Sequence, residues 1–359
     1  MKNGGMTMNS VEMVKKFSDA FGPSGFEDDV IGVAKELIPQ GYEYQIDTLN
    51  NLYFEKKLGS SGVSVHFDAH ADEVGFIVQA IAPNGLIRFL PLGGWDTRNI
   101  PSSKVLIKTQ EGKYVKGIVC SKPPHFMSKN DKDKPLNFED LFIDVGATNK
   151  VDVEKNYGIR IGDPVAPDVI CEFDEDHDLF IGKAFDCRIG CAAVFDTIRN
   201  IDTNKNISAS LSSQEEVGER GMKALISKIK ADVMICFEGC PADDTFSEEY
   251  MIQSAIKRGP MLRFFDVSMI THPKFMHFAQ RVADKYNIPM QVSVRKGGGT
   301  NGGISHLSDI PTIIIGIPVR YAHSHHGFAS YQDYKNAVFL ASKIVEELDE
   351  DILKEFKIK

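Results

Sequence analysis

The spacing of apolar positions changes character along the chain, and each change marks a different kind of structure. From Ser10 to Leu37 apolar residues recur at helical spacing, interrupted at Gly22-Pro23-Ser24-Gly25, which predicts two helices joined by a turn. A strand follows at Val63 to Asp68. From Glu73 to about Pro164 the pattern becomes a series of short β-prone runs: Gly75-Phe-Ile-Val, Leu86-Ile-Arg-Phe-Leu, Lys104-Val-Leu-Ile-Lys and Tyr114-Val-Lys-Gly-Ile-Val. Turn signals at Pro83-Asn84-Gly85 and Glu111-Gly112 separate them, as expected of a small β domain. Beyond Asp186 helices and strands alternate: helix 189–200, strand 207–212, helix 220–230, strand 233–237, helix 273–286, strand 291–295, strand 312–317 and helix 331–348. Such alternation predicts an α/β domain with a mainly parallel sheet. The expected organisation is a discontinuous α/β domain, residues 1–72 and 166–359, with a β-rich domain inserted at 73–165. The run Lys129 to Lys134 reads as an exposed loop.

Composition narrows the class of protein. A chain of 359 residues, 42% of them hydrophobic, can bury a large core. Its net charge of −9, with lysines scattered along the chain, leaves no basic stripe for a phosphate backbone, so nucleic acid is excluded as a partner. The apolar run Thr312 to Val319 is far shorter than the ~20 residues of a membrane helix, and Met1 to Ser10 is polar. A cytoplasmic protein with no membrane partner is expected. Cysteines stand at 120, 171, 187, 191, 236 and 240. The pairs Cys187/Cys191 and Cys236/Cys240 share a spacing seen in zinc sites, but they fall inside apolar runs, so reduced core thiols are the expectation.

Candidate chemistry gathers at the ends of predicted strands, where open α/β sheets bind ligands. After strand 63–68 comes His70-Ala-Asp72-Glu73, an imidazole that can bind a metal and a carboxylate that can orient the ring or support a neighbouring base. His66-x-Asp68 has the same spacing but lies within the strand. Asp186 precedes a small-residue helix start, where it can cap the helix or bridge two cations held roughly 3.5–4 Å apart. Adjacent Glu215 and Glu216 follow strand 207–212, so one can bind metal while the other moves protons. Glu238 follows strand 233–237, and His323, His325 and His326 crowd the loop beyond strand 312–317, with His323 the best placed as a ligand.

His70-x-Asp72-Glu73-x-Gly75, Gly182-Lys-Ala-Phe-Asp186-x-Arg188-x-Gly190, Gln214-Glu-Glu-Val-Gly218-x-Arg220-Gly221, Gly298-Gly-Thr300 and Arg320-Tyr-x-His323-Ser324 occur in that order. Gly93-Gly94-Trp95 and Pro123-Pro124-His125 lie in the β-rich segment. Together they resemble the family-42 metallopeptidases, the tetrahedral or glutamyl aminopeptidases. The resemblance implies a metal-dependent aminopeptidase acting on short peptides and carrying two divalent ions, zinc or cobalt, with manganese also compatible. It implies that His70 and Glu238 hold one ion and Glu216 and His323 the other, with Asp186 bridging. Glu215 would be the general base that activates water, supported by Asp72. The inserted β domain would mediate dimerisation, and dimers would assemble into a dodecamer.

Departures from the family pattern occur at Cys187, where Asn is usual, at Glu238 for Asp, at Asn301 for Asp and at His325 for Pro. Rival readings are a glycoside hydrolase and a non-catalytic protein on the same scaffold; the first needs a carboxylate pair across a sugar bond rather than acids mixed with imidazoles. Arg258, Arg295 and Lys296 are candidate cations for a pocket selective for acidic residues.

Overall fold

A computed structural model describes residues 8–56, 62–128 and 134–356; most of the expected loop 129–134 lies outside them. The strands are β1 Glu43–Ile46, β2 Leu52–Lys56, β3 Ser64–His70, β4 Gly75–Ile81, β5 Ile87–Leu92, β6 Lys104–Lys108, β7 Tyr114–Cys120, β8 Phe142–Asp144 and β9 Pro164–Pro167. They continue with β10 Glu172–Asp174, β11 Leu179–Gly182, β12 Asn206–Ser212, β13 Val233–Pro241, β14 Met261–Phe265, β15 Gln291–Val294, β16 Thr312–Arg320 and β17 Gly327–Ser330. The helices used below are α1 Ser10–Asp19, α2 Asp28–Leu37, α3 Phe185–Asn200, α4 Arg220–Leu225, α5 Pro273–Lys285, α6 Asn301–Leu307 and α7 Tyr331–Glu347.

The large sheet runs β1-β2-β12-β3-β13-β16-β17-β11-β10, with β14 and β15 branching from β16. Its centre, β12-β3-β13-β16, is parallel throughout, and antiparallel strands close both flanks. The four central strands are buried on both faces, although β3 and β12 turn a row of mutually hydrogen-bonded polar side chains to one of them. Parallel pairing also brings all four carboxyl ends to one edge: His70 of β3 is registered with Ser212 of β12. Helix α3 is buried from Phe185 to Ile198 except at Asp186, which is partly exposed. It can lie directly on the sheet because Gly190 has no side chain; a Cβ there would stand 3.2 Å from that of Phe237 and 3.3 Å from that of Ala69.

Strands β4-β5-β8-β7-β6-β9 close into a small barrel. It has its own core, including Phe76, Phe89, Ile107, Val119, Ile143 and Val165, separate from the core of the large sheet. The fold is therefore α/β with a mainly parallel sheet and an inserted small β module, as the sequence predicts. Several element limits differ. β3 and β13 run two and four residues past their predicted ends, so His70 and Glu238 lie within strands rather than after them. Helix α4 stops at Leu225, five residues early. β1, β2, β10, β11, β14, β17 and α6 were not predicted; most are short edge or flanking elements without a clear period.

Candidate metal centre

Five segments meet beyond the parallel strand ends. The last residue of β3 supplies His70, the first turn of α3 supplies Asp186, the turn after β12 supplies Glu215 and Glu216, β13 supplies Glu238, and the loop after β16 supplies His323. Asp186 is central. His70 Nε2 lies 3.1 Å from its Oδ1, and His323 Nε2 lies 3.3 Å from its Oδ2. Glu238 Oε2 is 3.7 Å and Glu215 Oε2 4.0 Å from His70 Nε2, while Glu216 Oε2 is 3.3 Å from His323 Nε2. Two sets of potential ligands result, His70-Asp186-Cys187-Glu238 and Asp186-Glu216-His323, each with its ligand atoms within 4.8 Å of one another.

Asp72 does not reach into the cluster. Its Oδ1 accepts the Glu215 backbone N–H at 2.9 Å, and its Oδ2 accepts that of Glu216 at 3.1 Å and the Ser24 hydroxyl at 2.6 Å. One carboxylate thus fixes the backbone from which both glutamates project, and it also lies 3.4 Å from Nδ1 of His70. Ser24 and Glu27 belong to the segment joining α1 to α2, where the sequence predicts only a turn. Glu27 accepts the N–H of Gln214 at 3.1 Å, so this segment helps hold the turn that carries Glu215 and Glu216.

Sequence reasoning also missed a buried ionic support. Glu73 lies between Lys183 Nζ, 2.6 Å from its Oε1, and Arg188 Nη2 at 3.1 Å. Arg188, fully buried, also donates to the carbonyls of Phe17, Ala20 and Gly22. All three charged residues sit inside the recognised motifs, which was their only signal. The barrel contributes as well: the Gly94 carbonyl lies 2.9 Å from His323 Nδ1, leaving Nε2 to face Asp186. His325 turns away toward the Lys104 carbonyl at 2.8 Å, so of the three clustered histidines only His323 enters the site. His66 is not part of it either; its ring nitrogens meet Ser208 and Ser210. Asp68 binds Ser210, Ser212 and Asn301.

The cluster's electrostatics call for a cation. Burial, opposed in part by His70 and reinforced by Asp186, pushes Glu238 up to about 8. Burial, opposed by His70 and reinforced by Glu238 and Glu216, raises Glu215 well above the carboxylate range. Burial disfavours a protonated His323, but Glu216 and Asp186 outweigh it and lift the ring to about 11. Among the described residues none of these carboxylates is ion-paired with Lys or Arg, and Glu216 Oε1 is buried with no hydrogen-bond partner. Mixed imidazole and carboxylate donors suit zinc, cobalt or manganese, and the orphaned oxygen is the kind of atom such an ion would satisfy.

The cluster lines a cavity of about 690 Å³ whose walls also carry Arg263, Arg295, Lys296, Asp243 and Met251. Arg295 and Lys296 are therefore at the cavity. Arg258 is not; it is exposed elsewhere. Arg263, unforeseen, is buried and paired with Asp266 at 3.0 Å.

A mainly parallel α/β sheet with acids and imidazoles at its strand ends, interrupted by a β barrel, is the architecture of an aminopeptidase. The chain belongs to the M42 glutamyl aminopeptidase family, whose profile matches residues 50–340. It is 28% identical to a glutamyl aminopeptidase of Lactococcus lactis, covering 98% of this chain and 99% of that one. It is 30% identical to a lysyl aminopeptidase of Pyrococcus furiosus, covering 94% and 97%. Among solved structures, a TET aminopeptidase from a marine sediment archaeon, Thaumarchaeota archaeon SCGC AB-539-E09, superposes with a TM-score of 0.92 at 34% identity over 97% of this chain and 99% of that one. The TET1 peptidase of Pyrococcus horikoshii, described as assembling into a tetrahedron or a large octahedral shell, superposes with a TM-score of 0.84 at 25% identity over 95% and 100%.

Proposed function

We propose that this chain is a dinuclear metalloaminopeptidase that removes N-terminal residues from short peptides. The observation that carries the reading is Asp186, which turns one carboxylate oxygen to His70 and the other to His323. His70, Asp186 and Glu238 would hold one divalent ion, and Asp186, Glu216 and His323 the other. Bound there, such ions supply Lewis-acid polarisation of a carbonyl and lower the pKa of water.

The remaining work falls to the chain's own residues. Glu215 is the general base: it takes a proton from the attacking water and delivers it to the leaving amine nitrogen. Its carboxylate holds that proton between the two transfers. Asp72 keeps Glu215 in place through the backbone, and Gly94 keeps His323 turned toward Asp186. The acidic floor of the cavity suits the α-ammonium group of a substrate, which limits attack to the first peptide bond. The wall residues Arg295 and Lys296 face the substrate's first side chain alongside Asp243, and relatives named for glutamyl and for lysyl substrates leave both charges open.

The test is a panel of aminoacyl-p-nitroanilides (Leu, Glu, Asp, Lys, Ala) with protein before and after chelation and after zinc, cobalt or manganese is restored. Metal-restorable release is expected, and Glu215→Gln should retain metal while losing about 10²–10⁴-fold in kcat. Release that survives chelation, or a fully active Glu215→Gln, would sink the mechanism. No release with any metal would favour a non-catalytic protein on this scaffold.

We further propose that the barrel, residues 73–165, is a dimerisation module of a homo-oligomer. In support, it exposes Leu90, Ile118 and Phe126 to solvent, and the horikoshii relative forms closed shells.

A further inference from the structure

Next to Asp186 stands Cys187, fully buried. Its Sγ shares with His70, Asp186 and Glu238 a set of ligand atoms all within 4.8 Å of one another. Donors around one tetrahedral zinc, with Zn–S near 2.3 Å and Zn–N near 2.0–2.1 Å, lie about 3.5 Å apart. Only a small closure separates the two spacings. Sγ lies 3.2 Å from the Phe237 carbonyl on β13, within reach of a weak thiol hydrogen bond. The absence of a side chain at Gly190 leaves room for the sulfur there, since a Cβ would stand 2.4 Å from Sγ.

The neighbouring thiols are occupied differently. Cys191 donates to the His70 carbonyl at 3.1 Å, and Cys240 Sγ receives Arg263 Nη2 at 2.9 Å. Cys236 lies 3.9 Å from Glu238 but outside the ligand set.

We infer that Cys187 is a further protein ligand on the His70–Glu238 side of the metal centre. This rests on the dinuclear reading above. On coordination the S–H bond breaks, a sulfur–metal bond forms and the proton leaves through the cavity to solvent. The two sides then differ in kind. One offers a soft thiolate and favours zinc, cobalt or cadmium, while the other, Asp186, Glu216 and His323, offers only oxygen and nitrogen and also accepts manganese.

The experiment is an anaerobic cobalt(II) titration of the chelator-stripped full chain, followed by absorption. Visible d–d bands report that cobalt is bound, and a near-ultraviolet thiolate-to-cobalt charge-transfer band reports the sulfur bond. The charge-transfer band is expected in the unsubstituted protein, in Cys191→Ser and in Cys236→Ser, and lost in Cys187→Ser, whose hydroxyl can still donate to Phe237. Zinc-edge X-ray absorption on the unsubstituted protein needs no variant and should find a sulfur neighbour at about 2.3 Å. Visible bands without charge transfer, a zinc shell of nitrogen and oxygen alone, or a band that persists in Cys187→Ser would each overturn the assignment. No cobalt uptake at all would overturn the metal centre itself, and this ligand with it.

Discussion

At the scale of single residues, the site depends on one close backbone approach. A Cβ on Gly239 would stand 2.4 Å from the Phe185 carbonyl oxygen and 2.6 Å from Asp186 Cα. These are main-chain atoms that cannot swing aside, so Gly239→Ala must displace the carboxylate on which both imidazoles converge. A misplacement of about 1 Å can cost about 10²-fold. We expect kcat/KM to fall by that order while circular dichroism stays native. Sequence reading located every acid and imidazole of this cluster, most because they end or follow a predicted strand and Asp186 because it precedes a small-residue helix start. It did not find Gly239, Ser24 or Glu27, since a tight contact or a hydrogen bond to a distant turn leaves no periodic trace. It described Asp72 as a partner of ring or base; the structure adds that this is done largely through two backbone N–H groups.

At the scale of elements, the first turn of α3 is tied to the end of β3 by charge buried inside the fold. Arg188→Met would remove the guanidinium's bonds to Phe17, Ala20, Gly22 and Glu73, leaving Lys183 to hold Ala20 and Glu73. Breaking a buried ion pair on one side costs about 3–5 kcal/mol, and a shift of that size is expected in the denaturation free energy. Strand β3 carries a second consequence. His66 is fully buried, and burial depresses its ring to about 3, against an ordinary value of 6.5. The unfolded chain therefore binds a proton that the folded chain refuses between these values. The contribution of His66 is complete above pH 6.5 and is lost as pH falls toward 3. Between pH 6 and 4 the denaturation free energy of the native protein should fall more steeply than that of His66→Gln, by up to about 1.4 kcal/mol per pH unit. Equal slopes would show that the ring is not held neutral. The same strand shows why its boundary was misjudged: His66, Asp68 and His70 look like interruptions in an apolar run, yet each is satisfied by a neighbouring strand or by the site.

At the scale of the whole molecule, the proposed ligands come from five segments, so bound ions would staple together chain portions more than two hundred residues apart in sequence. Stripping them should lower the melting temperature, and restoring zinc or cobalt should recover it, because an ion at about a thousand times its Kd adds about 4 kcal/mol per site. Unchanged melting after verified metal loss would contradict a centre built from these ligands. The barrel was legible as a separate β block from its short runs and turns, but its reach into the site was not, because the carbonyl of Gly94 carries no side-chain signal. That carbonyl has an engineering consequence. Anyone seeking a smaller, single-subunit catalyst by excising residues 73–165 and rejoining β3 to the second half of the sheet would keep every side chain of the proposed metal centre. The trimmed protein would still lose the acceptor that aims His323, so the module that looks dispensable on a topology diagram is a working part of the reaction chamber.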